Sequence, residues 1–283
     1  MNTKNIFENL INNAKILKLG TAALCAALPL SILAQSDTIT ITGSTTVLPI
    51  SQKTAELFME ENPGTKVTVS GGGSGVGIAA IMNKTASIGQ ASRSVKDKEV
   101  EEAKKNGVNI FENVVGLDAI AIAVNKKVPV IDLSLDQLRD IFTGKIDNWS
   151  QVGGPNQKII VISRDVASGT FEVFKELVLK GEKVKGDALM LAANKAVATT
   201  VAKTKGAIGY IGLAFLDKKL NAVAVDGVSA SPDNARNGSY KLSRKLYMYT
   251  DGQPTGKLKQ YLDFVLSPKG QKIVNDVGYI SVK

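Results

Sequence analysis

The chain has 283 residues, with 35 lysines and arginines, 26 aspartates and glutamates, and no histidine. The lack of histidine excludes Ser-His-Asp and Cys-His catalysis in their usual forms, and also His-ligated zinc sites. Aromatic residues make up 5% of the chain, so we expect no stacking platform for nucleic acid. No EF-hand-like loop occurs, and we expect neither a cofactor nor a resident metal.

The first 34 residues have the layout of a secretory signal peptide. Three lysines precede an uncharged apolar stretch, residues 19–33, and the small Ala34 follows at the cleavage position. An uncleaved N-terminal anchor is the main alternative, although the stretch is shorter than the about 20 residues that a membrane span needs. A lipid-anchored Cys25 is less favoured, because Leu24 is bulky where such sites usually carry a small residue.

Cleavage after Ala34 would remove the only cysteine and leave 32 basic and 25 acidic residues, a net charge of +7. A chain of this size forms one large domain or two modest ones. The charge favours anionic partners in general, but the lysines are scattered along the sequence and form no stripe.

From residue 38 onward, short apolar runs alternate with amphipathic stretches. The apolar runs predict strands at residues 38–42, 66–70, 87–92, 117–125, 158–163, 208–213 and 246–250. The amphipathic stretches predict helices at residues 49–62, 76–83, 97–106, 134–142, 170–179 and, with a break near Pro268, 253–277. The helix at 134–142 opens with a capping box, Ser134-x-x-Gln137.

Strands that alternate with helices predict an α/β fold with mainly parallel sheets. In such sheets ligands bind beyond the carboxyl ends of the strands. The sequence contains no internal repeat, low-complexity tract or Pro-rich linker. Composition alone therefore does not fix the number of domains.

Three turns rich in glycine, serine and threonine each separate a predicted strand from a predicted helix, at residues 43–46, 71–77 and 164–170. The start of a helix leaves backbone N–H groups unpaired and carries partial positive charge, so it suits an oxyanion. Capping needs one hydroxyl, whereas residues 44–46 supply three in a row. Three such turns in one chain predict that they converge on a single anion.

The glycine turn does not match a nucleotide-binding motif. Ile78 and Ala79 stand where a P-loop needs Lys and Ser or Thr, so we do not expect nucleotide hydrolysis. Residues 75–80 match the relaxed fingerprint G-x-G-x-x-A, but the turn is too long for the usual βαβ unit. Two interpretations remain, a flexible turn that needs positive φ and an anion site with Ser74 as the helix cap. We favour the anion site.

The turn at residues 164–170 carries the strongest signal. The Arg164 guanidinium offers planar, permanent donors to a phosphate-like oxyanion, and the Ser-Gly-Thr at 168–170 adds hydroxyl and N–H donors at a helix start. A surface pair between Arg164 and Asp165 with an ordinary cap is the alternative. Arg93, at the end of a buried strand, is a second candidate, and an exposed arginine is its alternative.

A series of short motifs runs along the chain in a fixed order. Before residue 100 they are T-G-S-T-T-V-x-P at 42–49, N-P-G-x-K-V at 62–67, G-G-G-S-G at 71–75 and A-S-R at 91–93. After residue 100 they are L-D at 117–118, I-x-N-W at 146–149, V-G-G-P at 152–155, Arg164 with S-G-T at 168–170, and F-V-L-S-P-x-G-Q at 264–271. With these motifs the chain resembles the phosphate-binding proteins of Pst-type ABC importers, from about Ile39 to the C-terminus.

The resemblance implies a two-lobed α/β fold of the periplasmic-binding-protein type II, each lobe a mixed sheet flanked by helices, with phosphate in the cleft. The family pattern places lobe I at residues 37–116 plus 246–283 and lobe II at residues 117–245. It also implies Arg164 as the charge partner of the phosphate. The implied hydroxyl and N–H donors are Thr45, Thr46, Val47, Ser74, Gly75, Ser168, Gly169 and Thr170.

Position 93 departs from the family pattern. In some members a carboxylate replaces Arg93 and accepts a hydrogen bond from protonated phosphate. Such an acceptor excludes fully ionised sulfate, because an unpaired buried carboxylate that faces an anion is costly. With Arg93 in this place, the acceptor lies elsewhere or selectivity is weaker. Asp118 is our candidate acceptor, and a turn cap or a partner of Arg93 is its alternative role.

The sequence thus predicts an exported, monomeric, non-enzymatic protein that delivers inorganic phosphate to the membrane permease subunits of an ABC importer. Another tetrahedral oxyanion, such as sulfate or molybdate, is the nearest rival ligand. An exported phosphoryl-transfer enzyme would need the histidine or clustered carboxylates that the sequence lacks. An adhesin for anionic surfaces is the third alternative, based on the net charge of +7.

Overall fold

The computed structural model describes residues 38–283, and the predicted signal peptide with Cys25 lies outside them. The strands are β1 Thr38–Gly43, β2 Lys66–Gly72, β3 Ile88–Ala91, β4 Ile110–Asn125, β5 Asp132–Leu133, β6 Ile160–Arg164, β7 Leu189–Leu191, β8 Ala207–Gly212, β9 Leu220–Val225 and β10 Ser243–Asp251. The α-helices are α1 Leu48–Glu61, α2 Ser74–Met82, α3 Asp97–Lys105, α4 Leu135–Thr143, α5 Gly169–Leu177, α6 Asn194–Lys203, α7 Pro232–Arg236, α8 Gly256–Leu266 and α9 Pro268–Asp276. Within this part of the chain, no helix has both the length and the apolar character to cross a membrane.

The sheet is mixed, in the order β2-β1-β3-β10-β4-β8-β6-β7, with β9 on β4 and β5 on β9. β1 pairs in parallel with β2 and β3, and β6 pairs in parallel with β7 and β8. β4 and β10 are antiparallel to their neighbours. The prediction of mainly parallel sheets is therefore confirmed for β1 to β3 and for β6 to β8. It is wrong for β4 and β10, which lie between these two groups.

β4 connects two lobes. Residues 110–119 of β4 pair with β10, and residues 120–125 pair with β8 and β9. We call the part built around β1, β2 and β3 the first lobe, and the part built around β6, β7 and β8 the second lobe.

Each lobe has its own hydrophobic core. In the first lobe, Ile41 packs with Phe58 of α1 and Tyr261 of α8. In the second lobe, Trp149 and Tyr210 lie in a large buried cluster, and the Trp149 indole N–H donates to the Gly206 carbonyl over 2.9 Å. Two separate cores explain how the lobes can keep their own shapes while only a few strands cross between them.

The helix signals in the sequence are largely confirmed. Gln137 N–H donates to Ser134 Oγ and Ser134 N–H donates to Gln137 Oε1, so the predicted capping box forms before α4. The break at Pro268 separates α8 from α9. Helix α6 and strand β9 were not predicted. The buried face of α6, residues 194, 197, 198 and 201, is made of small or polar side chains and valines, so its apolar signal is weak.

Glycines allow α2 to lie unusually close to the first-lobe sheet. A Cβ atom on Gly77, inside α2, would stand 2.7 Å from the Gln90 carbonyl oxygen and 2.8 Å from the Thr42 carbonyl oxygen. This approach holds the start of α2 next to the end of β1. The glycine turn and the turn after β1 are therefore neighbours in space.

We predict that Gly77→Ala destabilises the protein by about 1–3 kcal/mol, because its methyl group would overlap two backbone oxygens. Helix propensity alone predicts the opposite sign, a gain of up to about 1 kcal/mol. Urea unfolding followed by circular dichroism measures the difference. Gly75→Ala in the same helix is the control, since its nearest contact would be an ordinary 3.5 Å. Equal stability of the two variants would contradict the packing explanation.

Candidate functional site

The turn after β1 divides its three hydroxyls between two tasks. Ser44 Oγ accepts hydrogen bonds from the N–H groups of Thr46 (3.1 Å) and Val47 (3.3 Å), so it fixes the turn. The hydroxyls of Thr45 and Thr46 instead accept from the Asn194 amide of α6, over 3.3 and 2.9 Å. One hydroxyl caps the turn, and the other two face the second lobe.

The glycine turn reaches the turn after β6 directly. Gly72 and Gly73 have positive φ, 134° and 102°, which confirms that this turn needs backbone conformations that favour glycine. A Cβ atom on Gly73 would lie 2.5 Å from the Ala167 carbonyl oxygen, and the N–H of Gly75 donates to that same oxygen over 3.0 Å. These contacts join the first lobe to the second.

Ser74 has a different role from the predicted one. Gly73 is the N-cap of α2, and Ser74 is the first residue of the helix. The Ser74 hydroxyl is fully buried, accepts the N–H of Ser92 over 3.0 Å, and lies 3.4 Å from the Ser92 hydroxyl. A Cβ atom on Gly169 would stand 2.3 Å from Ser74 Oγ, so only glycine fits there.

The turn after β6 ends at the start of α5. Ser168 is the N-cap, and its hydroxyl accepts the N–H of Phe171 over 3.2 Å. Gly169 and Thr170 stand in the first turn of the helix, where N–H groups have no partner within the helix. Thr170 Oγ1 lies 3.2 Å from Thr46 Oγ1. The first and third turns therefore meet at a pair of threonine hydroxyls.

Arg164 lies at the junction of these turns, 1% exposed. Its Nε donates to the Leu191 carbonyl over 3.0 Å, and its Nη2 donates to the Ala192 carbonyl over 2.8 Å and to Thr45 Oγ1 over 3.2 Å. Its Nη1 is buried and has no hydrogen-bond partner among residues 38–283. A buried guanidinium N–H without a partner indicates a binding position for an acceptor.

The electrostatics of Arg164 lead to the same conclusion. Burial lowers the pKa of Arg164 to about 10, because its positive charge is removed from water. The alternative of a surface pair with Asp165 is wrong, since Arg164 is buried and Asp165 Oδ1 accepts the N–H of Ala167 over 3.0 Å. An anion beside Arg164 would compensate the buried charge.

Asn194 belongs to this site and was not predicted. It is fully buried at the start of α6, and its Oδ1 accepts the N–H of Gly212 over 3.1 Å. Through its amide it connects the end of β8 to the threonines of the first turn. Asn194 is a single asparagine at the start of a helix that was not predicted, and it belongs to no recognisable motif. The sequence therefore gave no indication of its role.

Asp118 is fully buried and pairs with Arg244. Arg244 donates to Asp118 Oδ2 from Nη2 over 2.7 Å and from Nε over 3.0 Å, and the N–H of Leu213 donates to Asp118 Oδ1 over 3.0 Å. Burial raises the pKa of the Asp118 carboxyl, while Arg244 opposes that rise. The alternative of a pair with Arg93 is wrong, because Arg93 binds another carboxylate.

Arg244 also contacts the first turn, with Nη2 3.4 Å from Thr46 Oγ1, and its Nη1 donates to the Ser92 carbonyl over 3.3 Å. The sequence analysis missed it. An arginine just before the apolar run Leu-Tyr-Met-Tyr of the strand Ser243–Asp251 was the available signal. A cation on a strand that is largely buried needs a partner, and here that partner is Asp118.

Arg93 is 8% exposed, so its interpretation as a surface arginine is wrong. Its Nη1 and Nη2 donate to the two oxygens of Glu99 over 2.8 and 2.7 Å, which balances its charge. Its Nε is buried without a partner in the described part of the chain. Arg93 therefore has one N–H left for another acceptor.

A cavity of about 860 Å³ lies next to these arginines and is lined by both Arg93 and Arg244. Across it, Lys96 forms an ion pair with Glu172 of α5. Lys96 precedes α3 of the first lobe, so this pair is a further bridge between the lobes.

The predicted site residues thus fall into three groups. Three of them are engaged elsewhere, since the Val47 N–H bonds to Ser44, the Gly75 N–H bonds to the Ala167 carbonyl and the Arg93 fork bonds to Glu99. Asp118 lies on β4 and is paired with Arg244, which in turn contacts Thr46. The others belong to the three turns, and they are Thr45, Thr46, Ser74, Arg164, Ser168, Gly169 and Thr170. Two of the three buried arginines have a carboxylate partner and Arg164 has none, so the site has one excess positive charge. Among residues 38–283 no cluster of histidine, cysteine or carboxylate side chains suits a metal.

Comparison with known proteins assigns this architecture to a family. The model of the PBP superfamily domain matches residues 33–269. The phosphate-binding protein PstS of Bacillus subtilis is 37% identical over 249 residues, which cover 87% of this chain and 81% of that protein.

Two solved structures are also similar. A phosphate ABC transporter substrate-binding protein from Clostridium perfringens, solved with bound phosphate, is 37% identical with a TM-score of 0.81. The match covers 87% of this chain and all of that one. An ABC-type phosphate transport receptor from Vibrio cholerae is 32% identical with a TM-score of 0.72, covering 86% of this chain and 99% of that one. The chain therefore belongs to the PBP superfamily, with its two-lobed fold, and within it to the PstS family.

Proposed function

We propose that this chain binds inorganic phosphate between its two lobes and delivers it to the permease subunits of an ABC importer. The single observation that carries the proposal is the buried Arg164, whose Nη1 has no partner among residues 38–283. A tetrahedral anion can bond to that N–H while its other oxygens meet the hydroxyls and N–H groups of the turns.

The geometry favours holding an ion over chemistry. Phosphate loses its water on entry, and donors from three turns replace that water when the lobes close. The sequence has no histidine, and we propose that the protein has no catalytic activity. The names of the relatives, a phosphate-binding protein and a transporter substrate-binding protein, support a transport role.

We propose that Asp118 distinguishes phosphate from sulfate. Its Oδ2 accepts from Arg244, its Oδ1 accepts the N–H of Leu213, and the Ala119 N–H also bonds to the carboxyl. A phosphate O–H would therefore share an oxygen of Asp118 with these donors. A carboxylate whose pKa is raised by burial is a good acceptor for a phosphate O–H. Fully ionised sulfate has no proton to offer and would meet uncompensated repulsion there.

We further propose that the lobes close around the ion by rotation about the strands that link them. The predicted limits are residues 37–116 plus 246–283 for lobe I and residues 117–245 for lobe II. The two separate hydrophobic cores and the change of β4 partner after Ala119 support limits near these positions. We also propose that the protein is exported and works as a monomer.

Arg164→Ala should weaken phosphate binding by about 30- to 5,000-fold, because truncating a buried, hydrogen-bonded charge costs about 2–5 kcal/mol. Isothermal titration calorimetry measures this directly, with near-UV circular dichroism as the check on folding. Arg164→Lys keeps the charge without the planar fork and should lose less affinity. Arg139→Ala, which removes a half-buried arginine from α4, should bind as the unchanged protein does. Tight binding by folded Arg164→Ala would overturn the proposed site.

Asp118→Asn should lower the ratio of phosphate to sulfate affinity by about tenfold or more, because the amide can also donate to an ionised oxygen. Calorimetry across about pH 5 to 9 is suitable, since Arg164, with a pKa of about 10, stays charged over that range. Asp147→Asn changes an exposed carboxylate and is the control. An unchanged ratio would remove Asp118 from the acceptor role, and equal affinities in the unchanged protein would favour another tetrahedral anion.

Glu172→Gln should speed phosphate release by about two- to fivefold, because it removes the ion pair with Lys96 between the lobes. The effect is modest since partly exposed pairs contribute up to about 1 kcal/mol. Stopped-flow fluorescence, using a dye attached at the cleft, measures the release rate. Glu56→Gln removes a pair within α1 and is the control. A release rate equal in both variants would contradict a role for this pair in closure.

A further inference from the structure

A second basic feature lies on the second lobe, at the carboxyl end of β4. A cavity of about 700 Å³ has seven lysines at its rim, and we call it the lysine pocket: Lys126, Lys127, Lys195, Lys203, Lys205, Lys218 and Lys219. Asn125 on its wall ends β4, seven residues beyond Asp118, which corresponds to about 23 Å along a strand. The lysine pocket is therefore separate from the phosphate cleft.

The charge of the lysine pocket is unbalanced. Its rim has a single carboxylate, Asp217, which accepts the N–H of Lys219 over 2.8 Å. In the described part of the chain, none of the seven lysines has a carboxylate within ion-pair distance. The rim has a net charge of +6, against +7 for the whole chain after Ala34. Lysines that are scattered in the sequence thus concentrate nearly all of the net charge at one place.

The wall of the pocket suits an anion. The carbonyls at the end of α6 would repel negative charge, but Asn125 Nδ2 donates to two of them, those of Val201 and Ala202, over 3.0 Å each. The Asn125 side-chain oxygen accepts the N–H of Lys127 over 3.0 Å, which fixes the neighbouring turn. Ala198 and Ala202 line the cavity, and their small side chains do not fill it.

The chemistry of the rim selects the class of ligand. Lysine ammonium groups act as mobile point charges and suit an anion with many charges and no fixed shape. Among residues 38–283, no aromatic side chain lines the pocket, so stacking on these residues cannot hold a nucleic acid base. A cavity of this volume admits a chain-like ligand, whereas a flat membrane surface would reach only the rim. We propose that the lysine pocket binds linear polyphosphate, a soluble chain of condensed phosphoryl groups. This binding is independent of the proposed function of the cleft.

The test measures binding of end-labelled short-chain polyphosphate to the purified protein by fluorescence anisotropy, with saturating inorganic phosphate present to occupy the cleft. The variant Lys195→Gln/Lys203→Gln/Lys205→Gln removes three charges from the rim. The control Lys66→Gln/Lys98→Gln/Lys183→Gln removes three exposed lysines elsewhere and has the same net charge. We expect the rim variant to bind about tenfold more weakly or worse, with a shallower dependence of affinity on salt, and the control to bind as the unchanged protein does.

Three outcomes would overturn the proposal. They are no binding of polyphosphate by the unchanged protein near physiological salt, an equal loss in the rim variant and the control, and binding to anionic phospholipid vesicles without binding to polyphosphate. Calorimetry of inorganic phosphate with the same three proteins keeps this test separate from the cleft. We expect phosphate affinity to be the same in all three, because none of the substituted lysines belongs to the cleft.

Discussion

Burial of one uncompensated guanidinium is the constraint on which the cleft depends. Arg93 and Arg244 are each neutralised by a carboxylate, whereas Arg164 is held by the neutral carbonyls of Leu191 and Ala192. Those carbonyls fix the position of the guanidinium but do not neutralise its positive charge. A charge removed from water lowers the stability of the protein until something opposes it. Under our proposal, an anion beside Arg164 would stabilise the surrounding turns together, which would couple binding to closure.

The pair of Asp118 and Arg244 depends on the strands that pass between the lobes. The two residues stand directly opposite each other where β4 pairs with β10. A salt bridge between neighbouring strands needs no contribution from lobe closure to form. The arrangement therefore separates two kinds of contact. The donors of the three turns belong to different lobes, while the Asp118 carboxylate is part of the connecting sheet. Under our proposal, the turns would recognise the charge of the anion and Asp118 would select its proton.

The sequence predicted the parts of the site that carry local signals. Turns at strand ends with glycine and hydroxyl residues mark helix starts, and Arg164 with the Ser-Gly-Thr at 168–170 could be placed there from spacing alone. The strands and helices with a clear period were also predicted, although β4 begins at Ile110, seven residues before the predicted start. Asn194 and Arg244 were missed, because each acts through a partner more than 70 residues away and neither lies in a recognisable motif. The lysine pocket was also not predicted, since its lysines come from four separate segments that only the fold brings together. Long-range pairing, and not local propensity, decided these positions.

The two basic features of the protein differ in how water and salt act on them. In the cleft, one buried cation and fixed dipoles act in a medium of low dielectric constant, where few contacts suffice and salt screens the charge only weakly. At the lysine pocket, seven exposed ammonium groups act through water, and salt screens them beyond about 8 Å at physiological ionic strength. A buried site can distinguish ions that differ by a single proton, because a buried donor or acceptor without a partner cannot form a hydrogen bond with water instead. An exposed cluster of ammonium groups distinguishes anions mainly by their total charge. We therefore expect the small anion to bind in the cleft and the polymeric one at the lysine pocket, without competition between them.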